Sequence, residues 1–250
     1  MSGAPAQSRR LAPGGAGHGL DGVADAGAFL ARLVRLDPAA LVRLRPAARP
    51  GAPADADGRT ALWGRLPWGV LAVRTVAGAG CGDATVAAAE LLSGLAAGGD
   101  ALPTRRDAQW RWPLPPAVSR AVETVPAGEL WRIAEAAAGT LREAAAHGVA
   151  GRAVGQRALR DALLDHVAVV VTPEDPPGPP VEVAQRLVQG LVRMGFLGRP
   201  GGGPGAAAPR RAGVVAGDVQ VRVAGRWVGL VGPYGAVWSQ KAADLVVTAL

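Results

Sequence analysis

The 250-residue sequence predicts an α+β fold, with a smaller N-terminal αβ portion, a helical middle segment, and a C-terminal helix followed by a small antiparallel sheet. Three observations predict it. Apolar residues recur every three or four positions through 126–148, 151–167 and 181–197, the period of helices that bury one face. They alternate instead from Asp218 to Val223, with Val219, Val221 and Val223 on one side and Gln220 and Arg222 on the other, the period of a strand. In the first half, Gly69 to Val76 (GVLAVRTV) is a nearly continuous β-branched run, which also reads as a strand.

Taken in order, residues 1–24 hold too few large apolar groups to offset the entropy of ordering and are expected to form a disordered tail. An N-terminal αβ portion covers 25–100. Phe29, Leu33 and Leu36 give a helix stopped at Asp37-Pro38, and Leu41 to Leu44 begins a further turn or two before Pro46. Ala47 to Arg59 reads as a linker, and the Gly69 strand runs into the loop Gly78-Ala79-Gly80-Cys81-Gly82-Asp83. A helix from Ala84 to Leu95 follows, with Asp83 as its expected N-cap. Residues 101–125 form a Trp- and Pro-rich connection, in which Trp110 and Trp112 are expected to cover core and Asp107 to pair with an arginine. The remainder, 126–250, is the helical and β-ribbon portion. Pro126 and Gly148 bracket its first helix, Pro179-Pro180 and Gly195 its last, and Ala224-Gly225 and Pro233-Tyr234-Gly235 the turns of the ribbon.

Composition narrows the classes. Lys241 is the only lysine, and the bias to Ala, Gly, Pro and Arg matches a GC-rich genome. The formal charge of +7 sits at the two ends, +4 over residues 1–50 and +5 over 181–250, a distribution that suits acidic partners. Cys81 is alone, which removes an intramolecular disulfide and a cysteine-based zinc site and fits a reducing cytoplasm. No run of about 18 apolar residues is present to span a membrane. Arg9-Arg10 has no apolar stretch after it, so a secretory signal is not expected.

The glycine loop invites two chemistries. A G-x-G-x-x-G pattern from Gly78 requires glycine where Asp83 stands, and no G-K-[ST] follows, so neither phosphate loop is present and no cofactor is implied. Cys81 ahead of a helix is a candidate nucleophile, with His147 and His166 as the available bases, but nothing fixes either near it, and a small residue in a tight turn is the preferred reading.

The C-terminal portion carries the expected function. Its helix presents Gln185, Arg186, Gln189 and Arg193 away from the apolar stripe, Arg199, Arg210 and Arg211 follow in a Gly/Pro/Ala-rich loop, and Arg222 and Arg226 lie on the hairpin. In order of elements this resembles the second half of a winged-helix domain. The resemblance implies a helix face that reads duplex DNA in the major groove and arginines that hold phosphates. An amphipathic helix packed on a small sheet explains the same pattern. The expected function is therefore non-enzymatic binding, with nucleic acid as partner. A protein-interaction or scaffold role, including self-association, is the first alternative and a thiol enzyme using Cys81 the second.

Overall fold

The computed structural model describes residues 17–47, 58–147, 155–173, 177–198 and 217–241. The chain is α+β, with five α-helices among the described residues and one large antiparallel sheet. Its elements are α1 (Val23–Leu36), β1 (Leu41–Pro46), β2 (Arg59–Arg65), β3 (Leu71–Ala77), β4 (Ala84–Ala87), α2 (Ala88–Ala96), β5 (Arg120–Pro126), α3 (Ala127–His147), α4 (Gln156–Asp165), β6 (Val167–Val171), β7 (Val181–Ala184), α5 (Gln185–Arg193), β8 (Asp218–Ala224), β9 (Trp227–Gly232) and β10 (Gly235–Gln240). Strands β6 and β7 form a separate two-stranded sheet.

The eight-stranded sheet runs β4-β1-β2-β3-β10-β9-β8-β5. Read outward from its centre, each half is a three-stranded meander taken backwards with one further strand at the rim. In the first half that outer strand follows the meander, and in the second it precedes it. The halves join where β3 and β10 pair antiparallel, through Ala236 opposite Val73, Val237 opposite Ala72 and Trp238 opposite Leu71.

One face of this sheet carries the helices. Val42, Leu44, Leu62, Val76, Val86, Val219, Val221, Leu230 and Val237 point into a core shared with Phe29, Leu30 and Leu33 of α1, Leu91 and Leu95 of α2, Leu130 of α3, and Leu187, Val188 and Leu191 of α5. Each such side chain contributes about 1.5–3 kcal/mol on burial. Among the described residues no α-helix lies on the other face. It carries a smaller apolar cluster of Leu71, Ala224, Trp227, Val231, Ala236 and Trp238, onto which Trp63, Trp110 and Leu114 pack.

Helix α1 stops where the sequence says it should, since a residue before proline is pushed out of the helical region and Asp37 is extended at φ −149° and ψ 104°. Helix α5 ends in a Schellman motif: Gly195, at φ +68°, donates its N–H to Val192 O, and Phe196 donates to Leu191 O. Gly190 lets α5 lie close on the sheet, because a Cβ there would stand 3.3 Å from Val237 and 3.4 Å from Leu66 and Val70.

Several expectations are corrected. Leu41 to Leu44 is the strand β1, in which Val42 and Leu44 alternate with Arg43 and Arg45. The helices expected from Ala84 and Val181 each begin four residues later, because β4 and β7 occupy their first residues. Asp83 is consequently not an N-cap; Ala87 holds that position and has no capping side chain. The last three strands do not form a small separate sheet or wing, but join β5 to make half of the eight-stranded one. Residues 17–24, expected in the tail, are packed: Gly17 bridges Ala101, His18 and Leu20 are buried, and α1 starts at Val23. Residues 1–16 and most of the Ala47–Arg59 and Arg199–Gly217 segments lie outside the described residues. Among the described residues no helix is long and apolar enough to cross a membrane.

Candidate functional site

The residues expected to contact nucleic acid are divided between the two faces of the sheet. Gln185, the first residue of α5, is 3% exposed. Arg186 turns inward, donating Nη1 to Trp68 O at 3.2 Å and pairing with Asp165, while Trp68 Nε1 donates to Arg186 O at 3.1 Å. Glu182 lies on β7, outside the helix, so it makes no i,i+4 pair with Arg186. Gln189 is half-buried and Arg193 exposed. Arg222 belongs to the opposite face, where it donates to Ser119 Oγ at 2.9 Å and to Gln220 Oε1 at 3.0 Å. Arg226 is exposed in the β8–β9 turn. Arg199, Arg210 and Arg211 lie outside the described residues. Helix α5 packs against one side of the sheet and Arg222 stands on the other, so these residues do not converge.

Cys81 is half-buried, and burial pushes its thiol above the ordinary value; the charged groups acting on it are Arg105, Asp107 and Asp83. The candidate bases are elsewhere, His147 ending α3 and His166 following α4. Labelling of the native protein by a thiol reagent at neutral pH is therefore expected to be slower than that of a free cysteine, because less of the thiol is ionised. Faster labelling would revive the nucleophile.

What the helix-free face does assemble is a charged depression crossed by a strap. To pass from α2, at the β4 rim, to β5 at the other, the chain must cross eight strands, a distance of about 34 Å at the usual strand spacing. From Asp107 to Arg120 it has 13 steps, about 43 Å when extended. The proline-rich run Arg111 to Pro116 suits that extended path.

The strap is fastened at both rims. At β4, Arg106 N donates to Thr85 O at 2.7 Å and Thr85 N donates to Asp107 Oδ1 at 2.7 Å, so both backbone groups of this edge residue are satisfied. At β5, the Arg222 guanidinium holds Ser119 through its hydroxyl and its carbonyl. Between these points Trp110 and Leu114 rest on the apolar cluster, Trp110 Nε1 donates to Trp112 O at 2.7 Å, and the Arg65 guanidinium lies 4.4 Å over the Trp112 ring. Trp112 is 37% exposed. Of the two indoles expected to cover core, Trp110 does so and Trp112 does not, and the arginine that pairs with Asp107 is Arg105.

Beside the β4 rim is a depression of about 360 Å³ lined by Arg43, Asp83, Thr85, Arg105, Asp107 and Trp110. A second, of about 240 Å³, shares the Trp110 wall and is lined also by Asp37, Arg65, Gln109 and Trp112. In the first, Arg43 grips Asp83 with two bonds of 2.7 Å, Arg45 reaches the same carboxylate at 3.3 Å, and Arg105 donates to Asp107 at 2.7 Å and to Asp83 O at 2.7 Å. Hydrogen bonding from Arg43 holds Asp83 below the usual carboxylate range, and bonds from Arg105 and the Thr85 amide do the same for Asp107. Three guanidinium groups face two carboxylates, so an excess positive charge and unused N–H donors remain for an anion. The sequence showed TRRDAQWRW as a basic, aromatic stretch; that Arg43 and Arg45 of β1 would join it was not visible without the β1–β4 pairing.

The Asp107 shift has a pH consequence. A carboxyl whose folded pKa lies below its unfolded value of about 3.9 stabilises fully above that pH and loses its contribution as pH falls through the lower folded value. The β4 fastening should therefore hold through neutral pH and release only below about pH 4, with Asp83 contributing in the same window. Tryptophan emission against pH would follow it. Asp107→Ala should give the released signal at neutral pH and a smaller change on acidification.

Residues 114–244 match the family model described as Domain of unknown function (DUF8185), and residues 18–112 match that described as Domain of unknown function (DUF8010). The two matches meet inside the strap, between Trp112 and Leu114. No curated protein and no solved structure matches the chain.

Proposed function

This chain belongs to the family described as Domain of unknown function (DUF8185), and we propose that it is a non-enzymatic binding protein that takes a single-stranded nucleic acid on the strap side of its sheet. The observation that supports this is the convergence of Arg43 and Arg105 on a depression walled by Trp110, with Arg45 on the Asp83 carboxylate and Arg65 and the exposed Trp112 ring alongside. Guanidinium groups hold phosphates and indole faces stack bases, a pairing of chemistries that suits an unpaired strand better than a duplex groove. The role expected of α5 thereby passes to the opposite face of the sheet.

The test is a tryptophan-fluorescence titration with a single-stranded oligonucleotide at low salt. Affinity should fall with salt with a log–log slope of about −0.7 per phosphate held. Trp112→Ala should weaken binding by about 1–3 kcal/mol, the usual value of one stacked base. Arg111→Ala, which removes an exposed cation of the strap, should make the salt slope shallower. Absence of a complex at low salt would end the reading.

A further inference from the structure

The eight-stranded sheet has two rims, and the chain treats them differently. At β4 the strap consumes the outward backbone groups of Thr85. At β5 no backbone hydrogen bond among the described residues covers the outer side of Arg120 to Val125; only the Glu123 side chain answers there, accepting from the Thr124 N–H at 2.9 Å. An uncovered strand of seven residues is a template for another strand.

Its side chains indicate which strand. Residues three apart in a regular strand fall on opposite faces, but β5 carries a bulge between Ala121 and Glu123 that absorbs one residue. Arg120 is opposite Val223 and Glu123 opposite Val221, both of which face the helical layer or its margin, so Arg120 and Glu123 share one side of the sheet. Both are exposed, and neither has an ion-pair partner among the described residues.

We propose that β5 is a self-association edge, and that two copies of the chain pair antiparallel through it about a two-fold axis passing between Ala121 and Val122. This axis sets Arg120 of each copy opposite Glu123 of the other, giving two identical ion pairs from one sequence, as an isologous contact requires. It joins the two sheets into one continuous sheet. Val118, at 71% the most exposed large apolar side chain among the described residues, lies two positions before the strand and is drawn toward the far end of the partner's β5. This edge is separate from the strap depression and does not depend on the proposed ligand.

Sedimentation equilibrium of the full chain over a wide concentration range tests it. The wild type should be a dimer at high micromolar concentration. Arg120→Glu alone and Glu123→Arg alone should each be monomeric there, weakened by about tenfold or more. An equimolar mixture of these two variants should recover the dimer, because each copy then meets the opposite charge; recovery also shows that both variants are folded. Amide exchange at 120–124 should slow as wild-type concentration rises. A wild type that stays monomeric, a dimer indifferent to either reversal, or a mixture that fails to recover although both variants melt cooperatively would each overturn the proposal.

Discussion

Gly78→Ala should destabilise the chain by about 3 kcal/mol or more, an effect in the range reserved for backbone strain combined with forced displacement. Gly78 sits at φ +113°, where an L side chain is strained, and a Cβ there would stand 2.7 Å from Leu20 Cα and 2.5 Å from Asp21 N. The neighbours cannot give way, because they are backbone. Gly80 donates its N–H to Gly19 O at 2.9 Å, Asp21 and Gly22 donate to Ala77 O, and the buried His18 imidazole is bonded through Nε2 to Gly99 O and through Nδ1 to the Leu20 N–H. Gly82 supplies the control. It also has a positive φ, +86°, but open space where its Cβ would go, so Gly82→Ala should cost only about 1 kcal/mol. Urea denaturation of both variants gives the comparison, and equal losses would show that close approach is not what Gly78 provides.

Phe196→Ala should cost about 3–5 kcal/mol, as large-to-small changes at buried aromatics do. The ring is 1% exposed and stacks on Phe29 of α1 with centroids 6.4 Å apart and planes 3° from parallel. It therefore ties the helix that opens the first half of the sheet to the turn that follows α5 in the second. Unfolding should remain a single transition shifted to lower denaturant. A Cβ on Gly235 would stand 2.6 Å from the same ring, so Gly235→Ala should be costly alone and distinctly less so once Phe196 is alanine. Additive losses would mean that the two positions do not share this space.

Much of the fold was legible where an element begins and ends with its own punctuation. Helices α1 and α3 carry a proline or glycine at their limits, β3 is β-branched, and the β8–β9 hairpin turns on Gly225 at φ +59°. What failed was the change of period within an uninterrupted run. β4 passes into α2 as ATVA-AAELL and β7 into α5 as VEVA-QRLV, with alanine at the N-cap and no capping side chain in either case. With no marker between them, the apolar residues of strand and helix merged into one helical pattern. β5 was missed for another reason: only Val125 among its residues is buried, so a rim strand leaves little apolar signature. The candidate site was half visible, since its strap lies in one continuous stretch while Arg43, Arg45 and Asp83 come to it only through the pairing of β1 with β4.

The path of the strap bears on how the chain is made. Synthesis delivers β5 about 90 residues before β8, the strand it pairs with among the described residues, leaves the ribosome. At roughly 5–20 residues per second that is an interval of about 5–20 s. The inner edge of β3 waits longer still, for β10. The nascent first half must therefore carry an unpaired strand at its own margin, and a strap with strands under only its first part, until the last meander arrives to close both gaps at once.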